Sequence, residues 1–578
     1  MPIRRLLYLL LAALCVLRLL LIGFVELSPD EAYYTLWSKY MDVSYYSKGP
    51  GVAAVIWAGT HLFGVNEFGV RFFSPLLALG TSLLMFHFAR RLYGEAVAFW
   101  TAITLQVIPI YQAGSVLMTI DPLSIFFWMA AMATFWRALE EEPARPDRWW
   151  LGTGALIGAG FLCKWTNAMQ LISIVLLLAI TPRHRRKLRS PGFIGLIGVF
   201  LLFTIPPIAW NEQHDRITYH HLFARGGLDK DLGISLAEFF KFLGSHFGVY
   251  SPLIFFAMLV ALFVGLRNMQ IHFKPRFLVA FTLPIFVLYF LLSFREAGEA
   301  NWTAPATLSL ALLTVAVWYE WSKQLGPVRI YSICALALSA VMGLLLLDLD
   351  LIRAVGIPLA YEVDPTARLR GWRSSAELVE KFRGDFEQQH QQPVFLIANK
   401  YQTAAALAFY MGSPRPAAPN HPPVYIPESQ AIENQFSFWP RYDEMEELSE
   451  LADETVKHSQ APEEVRRELA DKVEKLKHAE KHKSPHVGDA KREVAQLLSR
   501  AEPSLPIDES FVEEQGISIF AGRTALYVTD RAEERPPSTV KDGFEKVELI
   551  GCFDLNRRGV FLRQLRIFAC YNYHGMAL

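Results

Sequence analysis

The chain has 578 residues, 52% of them hydrophobic and 19% charged, with 56 basic and 56 acidic side chains. Soluble domains carry about a quarter charged residues, and here the charges divide unevenly, 48 in residues 1–350 and 64 in the shorter remainder. That excludes one large water-soluble enzyme, and a balanced charge without a long basic stripe gives no footing for nucleic acid.

A helical membrane span needs about 20 mostly apolar residues, sometimes as few as 17. Such runs fall at 6–25, 68–89, 95–112, 121–138, 149–164, 167–181, 192–210, 249–266, 276–294, 302–319 and 328–349, about eleven in all. The 149–181 stretch also reads as one long re-entrant element. Basic residues cluster on alternate connections: Arg4 and Arg5; Arg90 and Arg91; Arg137, Arg145 and Arg148; Arg183 to Arg189; Arg267, Lys274 and Arg276; Lys323 and Arg329. Cytoplasmic loops are rich in Lys and Arg, so the pattern predicts a cytoplasmic N-terminus. No small-residue cleavage site follows the first span, which reads as an uncleaved anchor. An odd span count puts the remainder of the chain on the outer face, together with loops 26–67, 211–248 and 295–301.

Those outer loops hold the chemistry. Ser28-Pro29-Asp30-Glu31-Ala32-Tyr33-Tyr34 sets two adjacent carboxylates at the end of a span; Ser28 or Asp30 also suits a helix cap. Lys48-Gly49-Pro50 precedes an apolar run, 52–63, that is too short to span and fits a helix lying in the interface. Lys48 is placed to meet a lipid phosphate or to snorkel to headgroups. Asp121 opens the fourth span before Pro122, as helix cap or as functional carboxylate. Lys164 follows Gly152, Gly154, Gly158 and Gly160, which permit close helix packing. The later loop carries His214, His220, His221 and Arg225-Gly226-Gly227. Its histidine spacing is not diagnostic of metal, whereas Arg225 suits an anion. Arg295, Glu296, Glu299, Asn301 and Trp302 form a short polar turn. Carboxylates, cations and aromatics thus converge at bilayer level on one face.

These motifs, with Phe68-Gly69-Val70-Arg71, Lys164-Trp165-Thr166 and Glu299-Ala300-Asn301-Trp302, resemble in order the polytopic lipid-sugar-dependent glycosyltransferases of the C-type fold. Within that fold they look like the bacterial dolichyl-phosphate-mannose-protein mannosyltransferase-like proteins and the aminoarabinose lipid A transferases. The resemblance covers residues 1–350. It implies a polyprenyl-phosphate sugar donor, a lipid, glycan or protein acceptor, and inversion at the anomeric carbon. It implies Asp30, Glu31 and Asp121 as catalytic, and Lys48, Lys164 and Arg225 as binding the donor phosphate. Tyr33, Tyr34, Arg71, Glu299 and Asn301 are then substrate-binding. No cofactor is specified; a divalent metal stays open. The resemblance also implies a bacterial inner membrane, among membrane lipids, as the setting. A lipid-sugar flippase and a non-catalytic membrane scaffold are the alternative readings.

Residues 351–578 read as a small outer α/β domain, with strands at 393–398, 423–426 and 524–528, a helix over 403–411, and one or two strands in 559–571. Its expected roles are acceptor recognition or covering the site, or stability alone. Within it, residues 441–500 hold 27 charged residues, and Val465, Leu469, Val473 and Leu476 recur at helical spacing. That predicts an inserted helical hairpin over 441–503, starting near Ser459 and Pro462 and ending at Pro485. Five cysteines are too few for a disulfide scaffold. Cys15, Cys163 and Cys334 read as packing residues, and Cys552 and Cys570 as a pair or as two buried thiols.

Overall fold

The computed structural model describes residues 2–140, 148–227, 233–357, 359–412, 415–429, 431–444, 447–481, 487–503, 505 and 518–575. Arg145 and Pro485 lie outside the described residues. The chain divides into two compact units, Met1–Leu359 with Asp364–Thr366, and Ala360–Val363 with Ala367–Leu578.

The first unit is helical. Among the described residues, six helices are long and apolar enough to cross a membrane: Glu67–Tyr93, Ile120–Glu140, Pro191–Gln213, Phe273–Leu292, Ala300–Ser322 and Gly326–Leu346. Leu236–Val249 and Pro252–Asn268 together make a seventh candidate, bent by 111° at Ser251, whose φ is 68°. The predicted spans at 95–112 and 149–181 come out shorter, for identifiable reasons. The 95–112 run breaks where Pro109 starts a new helix, leaving Glu95–Val107 and Pro109–Gly114; the residue before a proline is steered out of the helical region. Thirteen residues rise only about 20 Å, short of a hydrocarbon core of about 30 Å. The 149–181 stretch is two helices, Arg148–Cys163 and Met169–Ile180, with Lys164 extended after the first. The first helix, Ile3–Leu21, carries Arg18, which donates to the Gln106 side chain at 2.7 Å.

Ala304–Ser322 is the bundle's centre: every residue from Ala304 to Ala316 is buried, as expected of a helix that is apolar on all sides. Aromatic rings fill the layer around it, with Trp136 against Phe277 at 5.0 Å and Phe277 on Phe281 at 4.7 Å. The glycine-rich helix Arg148–Cys163 lies close on Pro191–Gln213. A Cβ on Gly154 would sit 2.3 Å from the Leu196 carbonyl oxygen, so only a residue without a side chain lets the backbones approach this far.

The second unit is built on a four-stranded sheet ordered β1-β2-β4-β3. Strands β1 (Val394–Ala398) and β2 (Thr524–Thr529) are parallel; β3 (Phe544–Arg557) and β4 (Val560–Tyr573) form an antiparallel hairpin. Its two-residue turn is Arg558-Gly559, with φ of 50° and 76°, the positive-φ pair that matches the twist of the flanking strands. Instead of a strand at 423–426, Tyr425 makes one parallel bridge to Ile397. The charged stretch forms three helices, Leu448–His458, Glu463–Lys481 and Val487–Ala501. Their apolar faces (Leu451, Leu469, Val473, Leu476, Val494, Leu498) join the same core as Phe395 and Tyr527 of the sheet. All five cysteines are free thiols; Cys15, Cys163 and Cys570 are buried, Cys334 and Cys552 exposed. The pairing of Cys552 with Cys570 is therefore not made: Cys570 opposes Val547 in the hairpin, while Cys552 opposes Arg566.

Candidate active site

The site starts from a helix cap. Ser28 accepts the Glu31 N–H through its side chain, the Glu31 carboxylate accepts the Ser28 N–H at 2.9 Å, and Pro29 occupies the first helical position of Pro29–Lys39. The same carboxylate takes two hydrogen bonds from Arg71, both 2.7 Å, and one from the Met118 N–H at 2.8 Å. Arg71 also donates to the carbonyls of Ile22, Val25 and Glu26. Both side chains are fully buried. Burial pushes the Glu31 carboxyl up, but Arg71 and the two N–H donors outweigh it and hold the group below its usual range. This pair ties the end of the first helix, the first loop and residue 118 together. Asp30, one step along the helix, is exposed.

Tyr33 and Tyr34 are buried against Trp37, which stacks on Tyr45 at 4.4 Å. This aromatic layer supports Lys48, whose ammonium lies 5.6 Å from the Tyr34 ring centroid and donates to Ser47 Oγ. Gly49 and Gly51 then run against the end of Arg148–Cys163. A Cβ on Gly49 would lie 2.3 Å from the Leu162 carbonyl oxygen, and one on Gly51 2.4 Å from Cys163 Sγ. That approach sets Lys48 near Lys164. Burial pushes the Lys48 ammonium down to about 8; Arg225 and Lys164 press in the same direction, Asp30 and Asp121 against it.

Asp121, in the first turn of Ile120–Glu140, uses both carboxylate oxygens. One accepts Lys164 Nζ at 2.8 Å, the other Asn301 Nδ2 at 2.6 Å, and Lys164 also reaches the Asn301 carbonyl at 3.5 Å. Two spans and the 300–303 turn are thereby joined at one point. Arg225 ends the helix Ile217–Arg225, lies over the Trp302 ring at 5.5 Å, and faces Glu299 at 3.9 Å. One turn earlier His221 packs on Tyr46 at 4.7 Å. Burial, then Lys48 and Arg225, push its imidazole down to about 4, so it is neutral near pH 7.

The loops thus gather Asp30, Lys48, Asp121, Lys164 and Arg225, with Glu299 and Asn301, while Glu31, Arg71, Tyr33 and Tyr34 lie beneath. Three pairings cannot be read from the sequence. Tyr46 and His221 wall the cation cluster. His246 and Tyr250 meet at Thr303 Oγ1, at 2.9 and 3.1 Å, under the turn that presents Asn301. Asp42 in the first loop accepts the indole N–H of Trp210 at 2.7 Å. Polar residues at the ends of apolar helices were the available clue, but their partners lie far away in sequence. Among the described residues no group of three or more His, Cys, Asp or Glu is arranged to hold a metal ion.

Residues 47–210 match the family model of dolichyl-phosphate-mannose-protein mannosyltransferase. The chain is 30% identical over 298 residues to the lipid A galacturonosyltransferase RgtD of Rhizobium johnstonii, covering 51% of this chain and 62% of that protein. It is 26% identical over 211 residues to the undecaprenyl phosphate-alpha-4-amino-4-deoxy-L-arabinose arabinosyl transferase of Edwardsiella ictaluri, covering 34% of this chain and 38% of that one. The match thus spans less than two thirds of each curated relative. The fold is similar to that of ArnT from Cupriavidus metallidurans in the apo state, with a TM-score of 0.56 and 16% identity over 97% of both chains. The same protein bound to undecaprenyl phosphate matches with a TM-score of 0.50 at 15% identity, again over 97% of both chains.

Proposed function

We propose that the chain is a glycosyltransferase of the bacterial inner membrane that moves a sugar from a polyprenyl-phosphate donor to an acceptor at the periplasmic face, with inversion. In this reading an odd number of the apolar segments cross the membrane, the N-terminus is cytoplasmic, and residues 351–578 are periplasmic. The observation that carries it is the convergence, at one end of the bundle, of an exposed carboxylate, Asp30, with Lys48, Lys164 and Arg225. A lipid-linked sugar phosphate needs that pairing of one carboxylate with several cations. Relatives named for undecaprenyl-phosphate aminoarabinose and for lipid A supply the donor and acceptor classes to try first.

The chemistry follows from charge. As the C1–O bond of the donor breaks, its electron pair leaves on polyprenyl phosphate, and cations placed beforehand stabilise that growing charge. Lys48 and Arg225 take the phosphate. Asp121 holds Lys164 and Asn301, so its role is to orient the cation and the 299–302 turn. The acceptor oxygen attacks C1 from the face opposite the phosphate. Where that oxygen belongs to a hydroxyl, Asp30 takes its proton; where it belongs to an anionic phosphate, no base is needed, and Asp30 positions the donor sugar by accepting hydrogen bonds from its hydroxyls. Glu31 and Arg71 position Asp30 from below, and Tyr33 and Tyr34 act through the aromatic layer under Lys48.

The test compares purified wild type with Asp30→Asn, given polyprenyl-phosphate sugars and an acceptor extract that includes lipid A. Free polyprenyl phosphate and the acceptor's gain in mass are followed. Wild type releases the carrier; Asp30→Asn binds donor and releases roughly a hundredfold less or lower still. Full activity in Asp30→Asn overturns the assignment.

A further inference from the structure

At the end of the bundle away from Asp121, helices Pro252–Asn268, Phe273–Leu292 and Ala304–Ser322 part around a cavity of about 630 Å³. Trp136, on its lining, stands fifteen residues along the same helix from Asp121, about 22 Å away. The cavity therefore lies at the opposite membrane face from the candidate active site. Its size falls within the roughly 300–1,000 Å³ of small-ligand sites.

The lining is graded. Leu313 and Val317 make an apolar wall, and Tyr93, Trp136 and Trp321 make an aromatic belt, the residues that settle at headgroup level. At the rim, Phe273, Lys274 and Pro275 are the first turn of a 20-residue helix, whose N–H groups and dipole favour an anion. Lys274 lies 5.4 Å from the Tyr93 ring centroid and donates to the Leu92 carbonyl. The acid on the lining, Glu320, is paired with Lys323 at 2.9 Å, so the rim stays positive. Arg183, Lys187 and Arg276 surround His184, which packs on Phe273 at 5.1 Å, and add to the same field.

We propose that this cavity binds an anionic glycerophospholipid of the leaflet opposite the active site. Its phosphate sits against Lys274 and the helix N-terminus, and an acyl chain runs along Leu313 and Val317. Basic pockets between membrane helices suit such headgroups. The proposal rests on the first unit lying in a membrane and is independent of the sugar-transfer reading.

The test is native mass spectrometry of the detergent-solubilised full chain, titrated with dioleoyl phosphatidylglycerol or dioleoyl phosphatidylcholine. Wild type retains phosphatidylglycerol in preference. Lys274→Gln lowers that retention about fivefold, Lys274→Arg restores it, and Val317→Trp removes it by filling the wall. Equal retention of the two lipids overturns the proposal. So does unchanged phosphatidylglycerol retention in both Lys274→Gln and Val317→Trp with a wild-type thermal transition. Displacement of phosphatidylglycerol by equimolar polyprenyl phosphate also overturns it, and assigns the cavity to the carrier lipid. Should Val317→Trp fail to fold, the Gln and Arg variants at 274 decide the question.

Discussion

A lysine that titrates near 8 answers a phosphate differently from an ordinary surface lysine. Lys48 is pushed to about 8, chiefly by burial and then by two neighbouring cations. A bound phosphate favours the ammonium form and raises that value, so the donor binds the protonated protein and holds its proton. Below pH 8 Lys48 is already charged and affinity is flat. Above it, each unit of pH costs about tenfold in affinity until the pKa of the complex is reached. A sugar-phosphate diester has no proton of its own to titrate in this window. Titration of donor into the protein from pH 6.5 to 9.5 checks the slope; Lys48→Arg, whose guanidinium stays charged throughout, abolishes it. A slope that survives in Lys48→Arg belongs to another group. The adjacent carboxylates separate in a second measurement. Glu31→Gln leaves Arg71 buried without its counter-charge and costs about 3–5 kcal/mol, seen as a lower thermal transition in detergent. Asp30→Asn, on the exposed face, shifts stability by less than about 0.5 kcal/mol while removing turnover. Equal stability of the two variants contradicts the division of roles.

At the scale of elements, the Gly49 turn determines where Lys48 stands. Gly49→Ala puts a Cβ 2.3 Å from the Leu162 carbonyl oxygen, and the backbone of a helix end does not yield as a flexible side chain would. The loop shifts instead, and kcat/KM falls by up to about a hundredfold, mostly through KM for the donor; an unchanged KM shows that the loop has slack. In the second unit, Leu476 is fully buried in the core shared by the helices and the sheet. Leu476→Ala therefore costs about 2–5 kcal/mol, measured by the unit's denaturation midpoint, although the surrounding sequence reads as a solvated charged helix. What was legible follows the same logic. Asp30, Asp121, Lys164 and Arg225 all sit at or next to helix ends, where capping residues, proline and the close of an apolar run mark the boundary. The division between Asp30 and Glu31 was not legible, because neighbouring helix positions point differently and only the partner, Arg71 forty residues on, decides which is buried. Strand β3 carries a short apolar run, Leu549-Ile550-Gly551-Cys552-Phe553, but the glycine inside it, where the register shifts, breaks the strand pattern, and its side chains alternate only between exposed and half-buried along most of its length. The 95–112 segment was read as one span because its apolar content continues past Pro109, where the helix does not.

For the whole molecule, orientation is the claim on which the chemistry depends. If basic loops face the cytoplasm and an odd number of segments cross, residues 351–578 lie in the periplasm. The structure supplies a reporter for this: Cys552 is exposed on strand β3, while Cys570 in the same hairpin is buried. The other exposed thiol, Cys334, lies within the apolar helix Gly326–Leu347, where a charged reagent meets lipid or detergent instead of water. A membrane-impermeant maleimide added to intact spheroplasts should therefore label the chain at Cys552. Cys552→Ser should remove the label and Cys334→Ser should leave it. A chain that labels only after the membrane is opened places the second unit in the cytoplasm. Either the number of crossings is then even, or the N-terminus is outside; in the second case Lys48, in the loop after the first helix, faces the cytoplasm, and a donor presented at the periplasmic surface no longer meets it.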